Sequence, residues 1–163
     1  MGKDRVYSKL TIEDIEEINK SQLKEIRVTS TKSIDLELID RLDPNIKIVV
    51  VGNEEKRDER LPEYSYKISE FKEIVLTLTS LEQGLYNNPN WTDLDRFVYL
   101  YSKLIYYYSL SGFDKTLEAD PSLRSLLNRI PNPKALALIY SELCNRNGLD
   151  ARYLEKCWKY ICI

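Results

Sequence analysis

The sequence predicts an α+β protein, because segments with strand periodicity alternate with segments of helical periodicity along its 163 residues. Polar and apolar side chains alternate in residues 24–30, which is typical of a half-buried strand with Ile26 and Val28 facing inward. Residues 46–51 are almost all apolar and mostly β-branched, which indicates a strand buried on both faces. A helix between these strands would complete a βαβ unit, which normally pairs its strands in parallel.

The composition is that of a folded globular protein and argues against several classes of partner. Apolar residues make up 43% and charged residues 31% of the chain, with a formal net charge of −2. Because the two signs are mixed along the sequence, no basic field is available for phosphate backbones, and we expect no nucleic-acid partner. The start lacks a signal peptide, and no run of eighteen apolar residues occurs, so we expect a cytoplasmic protein without a membrane partner.

Capping residues indicate where the first helices begin. Thr11 precedes a partly apolar helical pattern over residues 12–23. Ser33 precedes a second helical pattern over residues 34–42, which is followed by a turn sequence. A third helix, which carries Phe71, is predicted to end at Gly84. No internal repeat at solenoid length is visible in the sequence.

The strongest helical pattern begins after Thr92. Thr92 and Asp95 have the spacing of a capping box, with aspartate in place of glutamate. One apolar stripe continues for four turns and predicts a helix packed on the core through that stripe. The stripe comprises Leu94, Phe97, Val98, Tyr101, Leu104, Ile105 and Tyr108.

A change in composition suggests two parts of the chain. Residues 53–60 carry seven charges in eight positions and read as a solvated loop. We therefore expect residues 1–60 to form a small α/β arm and residues 64–163 to form the core, in one compact domain or two. In the core, a helix is predicted to begin after Pro133 and to end at Gly148, before closing strands at residues 151–154 and 158–161.

The sequence contains few groups that carry out catalysis. Histidine is absent, so no imidazole base is available within this chain. The cysteines at positions 144, 157 and 162 lack the CxxC pairs of a zinc site, and we interpret them as reduced, buried thiols. Gly-rich phosphate loops and histidine-containing metal motifs are also missing, so we expect no metal and no cofactor.

Three segments together resemble the transglutaminase-like superfamily of cysteine enzymes. Residues 94–104 resemble the family's helix before the active site, and residues 124–127 resemble the segment that leads to the nucleophile. Residues 134–153 are similar to its central helix and following strand. The resemblance implies a papain-like core of helices packed on a small sheet, and it does not extend to residues 1–60.

The resemblance also implies that the family's catalytic residues have been lost. Pro133 occupies the position of the nucleophilic cysteine, and Lys156 occupies that of the histidine. The orienting aspartate has no counterpart before Ile163. Because attack, proton transfer and orientation are separate tasks, we expect a pseudoenzyme that binds a protein or peptide, with Lys134 and Trp158 in the candidate cleft.

Two alternatives remain open at this point. The chain could be an enzyme that uses Cys144 or Cys157 as nucleophile and Lys156 as base, since burial lowers the pKa of a lysine. It could also be a fragment, because the apolar end at residues 160–163 resembles an uncovered sheet edge. The oligomeric state is open as well.

Overall fold

A computed structural model describes residues 5–52, 62–110 and 119–151 of the chain. Its contacts divide the protein into two compact units, Met1–Val75 and Leu76–Ile163. The described residues form six helices and one sheet of four strands, which confirms the predicted α+β class. The division falls after the expected boundary between residues 60 and 64, because a strand at Ser65–Lys67 pairs with the sheet of the first unit.

The first unit contains the sheet and two helices. Its elements are β1 (Val6–Tyr7), α1 (Ile12–Lys20), β2 (Glu25–Val28), α2 (Leu36–Ile39), β3 (Lys47–Val50) and β4 (Ser65–Lys67). The strands lie in the order of the sequence; β1, β2 and β3 are parallel, and β4 is antiparallel to β3. The predicted parallel pair of a βαβ unit is therefore confirmed.

Burial follows the predicted pattern in the two central strands. Ile26 and Val28 are buried in β2, and Glu25 is exposed. In β3 the neighbours Ile48 and Val49 are both buried, so side chains on both faces of this strand are covered. The alternating pattern of β2 and the β-branched run of β3 thus predicted correctly which faces of each strand are buried.

The first unit also has a structural repeat that the sequence analysis did not anticipate. Val6 pairs with Arg27 and Arg27 with Val49, so successive parallel strands are offset by 21 and then 22 residues. Each of the first two strands is followed by a loop and a helix before the next strand. This regularity lies in strand spacing and not in repeated residues, and β1 is only two residues long, so no repeat is visible in the sequence itself.

One predicted helix cap is confirmed and another is wrong. Thr11 forms a reciprocal capping box with Asp14, with distances of 3.2 and 3.0 Å. Ser33 does not cap a helix: its hydroxyl accepts a hydrogen bond from the backbone N–H of Ser30 at 3.1 Å, within the loop after β2. The helix α2 begins later, after Asp35.

The second unit is helical in its described residues. Helix α3 (Ile68–Tyr86) crosses the division between the units and is followed by α4 (Asp93–Ser109), α5 (Ser125–Asn128) and α6 (Pro133–Arg146). The predicted end of α3 at Gly84 is wrong, since the helix continues to Tyr86. Gly84 instead allows a close approach, because a Cβ at this position would overlap the phenol ring of Tyr99 on α4.

Helix α4 begins as predicted, but its buried face is rotated from the predicted stripe and includes Leu100, which was not part of that stripe. Thr92 and Asp95 form the expected capping box. The buried side chains of the helix are Leu100, Leu104 and Tyr108. Four members of the predicted inward stripe are exposed instead, namely Leu94, Val98, Tyr101 and Ile105. The apolar arc of α4 is therefore wider than the surface that covers it.

The predicted charged loop at residues 53–60 and the two closing strands lie outside the described residues, apart from Ala151. Helix α6 ends close to the predicted place, and Gly148 has the left-handed φ of +74° expected after a helix. Leu149 and Ala151 beyond it are buried.

The contact between Gly84 and Tyr99 leads to a prediction about stability. Alanine is favoured over glycine inside a helix by about 0.5–1 kcal/mol. In a Tyr99→Ala background we expect Gly84→Ala to raise the free energy of unfolding by this amount, measured by urea denaturation. In the wild-type background the gain should be smaller or absent, because the Tyr99 ring must move. Equal gains in both backgrounds would contradict the close approach.

Candidate functional site

The start of α6 is the place where the resemblance puts a catalytic nucleophile. Asn132 caps this helix: its side-chain Oδ1 accepts hydrogen bonds from the N–H groups of Lys134 at 2.9 Å and Ala135 at 3.2 Å. Pro133 occupies the first helical position, where its fixed φ suits the helix and its missing N–H leaves no donor unpaired. The local sequence therefore builds a stable helix start.

This helix start has no reactive group of its own. Pro133 is exposed but has a saturated ring without an acid, base or nucleophile. Two N–H groups that could otherwise stabilise a thiolate or oxyanion already donate to Asn132. Lys134, the next residue, is exposed at the same end of the helix.

Cys144, the candidate alternative nucleophile, lies near the other end of α6. Its side chain is fully buried, and burial raises the pKa of the Cys144 thiol from 9.0 to about 11, although a hydrogen bond with Tyr140 acts in the opposite direction. Tyr140 in turn donates its hydroxyl proton to the carbonyl of Phe97 on α4 at 3.0 Å. A reactive cysteine has a lowered pKa and is accessible, and Cys144 has neither property.

A buried ion pair joins α3 to α6 within the second unit. Arg146 and Glu82 are exposed by only 3% and 1% of their side-chain areas. Two parallel hydrogen bonds of 3.1 and 2.7 Å join the guanidinium to the carboxylate. Asn147 adds a third hydrogen bond to the carboxylate at 2.8 Å, and Thr79 accepts one from Arg146 at 3.3 Å. These contacts satisfy both charges within the fold.

This ion pair was not predicted from the sequence. Its partners are 64 positions apart, and no local pattern joins them. One signal was present: Glu82 directly follows Leu81 and comes three residues before Leu85, both of which are buried. An acidic residue on the apolar face of a helix indicates a buried partner of opposite charge.

The predicted site residues are only partly within the described chain. Pro133 and Lys134 are neighbours at the start of α6, as expected. Lys156 and Trp158 lie outside the described residues, so the groove expected between them and α6 stays a prediction. Over the ranges that the structure covers, no cluster of three metal-ligating side chains occurs, and no helix is long and apolar enough to cross a bilayer.

Comparisons with protein-family models, with curated proteins and with solved structures find no match for this chain.

The buried ion pair leads to a second prediction. We expect Glu82→Gln to lower the free energy of unfolding by about 3–5 kcal/mol, because Arg146 would remain buried without a countercharge. The matched control Glu17→Gln, on the exposed face of α1, should change it by less than about 0.5 kcal/mol. Replacing both partners, as Glu82→Leu with Arg146→Met, should recover much of the loss. Urea denaturation measures all four proteins, and equal effects of the two Glu→Gln changes would refute the role of the pair.

The buried thiol leads to a third prediction, about alkaline pH. Because the pKa of Cys144 is raised, the folded state keeps this thiol protonated at a pH where the unfolded chain has lost the proton. Stability from this residue is therefore complete below pH 9 and is lost as the pH rises to about 11, by about 2–3 kcal/mol. We expect Cys144→Ala to lose less stability than the wild type over this interval. Tyr108, with a pKa raised to about 12, affects both proteins equally. The pKa of Tyr140 is raised mainly by burial and in part by Cys144 itself, so this tyrosine adds to the loss in the wild type in the same direction. Urea denaturation at several pH values gives the comparison, and identical pH dependence would show that Cys144 titrates normally.

Proposed function

We propose that this protein is a binding module for a protein or peptide, derived from a transglutaminase-like enzyme and without catalytic activity. The observation that supports this best is the helix start at Pro133. This is the position that the resemblance assigns to the nucleophile, and here it carries a residue that cannot attack a carbonyl. Pro133 and the Asn132 cap together replace a reactive centre with a structural one.

The absence of histidine supports the same proposal. In a cysteine enzyme of this type, a base must remove the thiol proton and return it to the leaving group. Lysine, which occupies the corresponding position 156, has an ordinary pKa of about 10.4 and is protonated at neutral pH unless its surroundings change it. Nucleophilic attack would thus fall to Pro133 and proton transfer to Lys156, and neither residue type ordinarily performs that task.

The alternative of an enzyme with a relocated nucleophile has less support. Cys144 is enclosed in the second unit and its pKa is shifted away from neutrality. It also lies three turns into α6, where the favourable field of the helix N-terminus has faded. Cys157 and Lys156, outside the described residues, are the remaining pair for this alternative.

The candidate cleft has a chemistry that suits peptide recognition. Lys134 provides a positive charge beside the exposed start of α6, and the resemblance brings the indole of Trp158 to the same cleft. An ammonium group and an aromatic ring together recognise acidic and apolar side chains or a terminal carboxylate. We therefore expect a peptide segment of a protein as the ligand, bound without bond formation or cleavage.

The proposal is tested by partner capture with matched variants. Tagged full-length protein is expressed in its native cells, and co-purifying proteins are quantified by mass spectrometry. We expect at least one partner whose recovery falls about tenfold, equivalent to about 1.4 kcal/mol of binding free energy, in Lys134→Glu and in Trp158→Ala. The control Lys24→Glu makes the same charge change at an exposed position of the first unit and should retain the partner.

A parallel assay follows turnover. The wild type is incubated with a glutamine-containing protein and a fluorescent primary amine, and with unstructured peptides, and the products are followed by mass spectrometry. We expect no time-dependent product. A product that disappears in Cys144→Ala or Cys157→Ala would overturn the proposal and establish the alternative enzyme.

A further inference from the structure

An exposed apolar face on α4 has no role in the proposed function. It comprises Leu94, Val98, Tyr101 and Ile105, called here the α4 stripe, with exposures of 70%, 56%, 50% and 41%. Among the described residues, no other helix carries more than two large exposed apolar side chains. Scattered apolar residues on a surface are ordinary, whereas a row of four on one helix indicates a contact surface.

The spacing of the α4 stripe is that of a helix-pairing seam. Its members follow one another at intervals of four, three and four residues, so they line one side of the helix over three turns. The buried residues Leu100 and Leu104 lie on the adjacent side. Helix α4 therefore packs on its own unit with one part of its apolar arc and presents the remaining part outward.

The residue types favour pairing with a second α4 helix. The β-branched Val98 and Ile105 take the first heptad position, and Leu94 takes the fourth, which is the arrangement that in parallel coiled coils favours two strands over three or four. Tyr101 takes the fourth position of the next heptad. Its ring also packs edge-on against the ring of Tyr140, with 5.8 Å between the ring centroids.

The charges around the seam are compatible with pairing between identical helices. Ser102 and Ser109 border the seam on its solvent side, and both are small and uncharged. The nearest charged residue on that side, Asp95, lies near the start of the helix, where its carboxylate accepts the Thr92 N–H. Lys103 points to another side, above the ring of Tyr99 at 5.7 Å. Two copies can thus approach without placing like charges against each other along the seam, whereas a highly charged partner would find no countercharge there.

The area of the α4 stripe limits the strength of the contact. Four half-exposed side chains of these types provide on the order of 300 Å² of apolar surface. Two such faces together bury on the order of 600 Å², which is below the roughly 1,200 Å² of a stable, specific interface. We propose that the α4 stripe pairs with the same stripe of a second copy, in a parallel and two-fold symmetric dimer that forms reversibly at high protein concentration.

Sedimentation of the full chain tests this proposal. We expect the weight-average mass to rise from that of one chain, 19.2 kDa, toward twice that value between about 10 µM and about 1 mM protein. Val98→Lys and Ile105→Lys should keep the protein at the mass of one chain. The control Leu76→Lys replaces an exposed apolar residue of α3 and should leave the mass increase unchanged.

Disulfide trapping tests the parallel arrangement. At high concentration, Val98→Cys should form an intermolecular disulfide between identical positions, identified by peptide mapping, whereas Lys103→Cys should not.

A mass that stays at 19.2 kDa throughout, or a dimer that persists in Val98→Lys, would overturn the proposal. A marked loss of thermal stability in Val98→Lys at low concentration would also overturn it, because that loss would show that another part of the same chain covers the α4 stripe. Recovery of the partner that depends on Lys134 is measured separately, so failure of the dimer and failure of the proposed function are distinguishable.

Discussion

The ion pair between Glu82 and Arg146 is the strictest physical constraint in the second unit. Moving two charges out of water costs several kcal/mol per ion, and this cost is offset only when the geometry of the pair is nearly ideal. Here the carboxylate accepts both guanidinium hydrogen bonds and a third from Asn147. Helices α3 and α6 must therefore keep one register, since a shift by one residue would leave both charges buried and unpaired. The start of α6 at Pro133 is set separately, by the Asn132 cap at the other end of the helix.

The first unit depends on a different constraint, the repeated spacing of its parallel strands. Offsets of 21 and 22 residues place corresponding positions side by side, so Ile26 lies beside Ile48, and Val28 beside Val50. Buried side chains of neighbouring strands therefore form continuous rows across the sheet, as they do in repeat folds. The antiparallel β4 ends the series at β3. The two units thus illustrate two ways to specify a structure, by one buried polar contact and by periodic apolar packing.

The sequence predicted features that depend on neighbouring residues and missed those that depend on distant ones. The capping box at Thr92, the inward side chains of β2 and the two-sided burial of β3 follow from local patterns, and all were predicted. The continuation of α3 past Gly84 was missed because a glycine after a helical pattern usually marks a helix end, whereas this glycine makes room for the ring of Tyr99 on another helix. The exposure of Val98 and its neighbours was missed for a related reason: periodicity shows which residues share a face, but not how much of that face is covered. At the candidate site, the helix start at Pro133 and the burial of Cys144 as a free thiol were both predicted.

The proposal of binding without turnover is supported by the surroundings of two ionisable groups in the described residues, Cys144 and Glu82. Catalysis requires a titratable side chain whose pKa is tuned toward neutrality and which can reach a substrate. Burial moves the pKa of Cys144 in the opposite direction, and the carboxylate of Glu82 is fully occupied by three hydrogen-bond donors. Buried polar groups of this kind stabilise one conformation and are unavailable for proton transfer. Among the described residues, the two exposed surfaces on which the proposals rest are the start of α6 and the α4 stripe. Surfaces of both kinds recognise other molecules through shape and burial, and neither requires a reactive group.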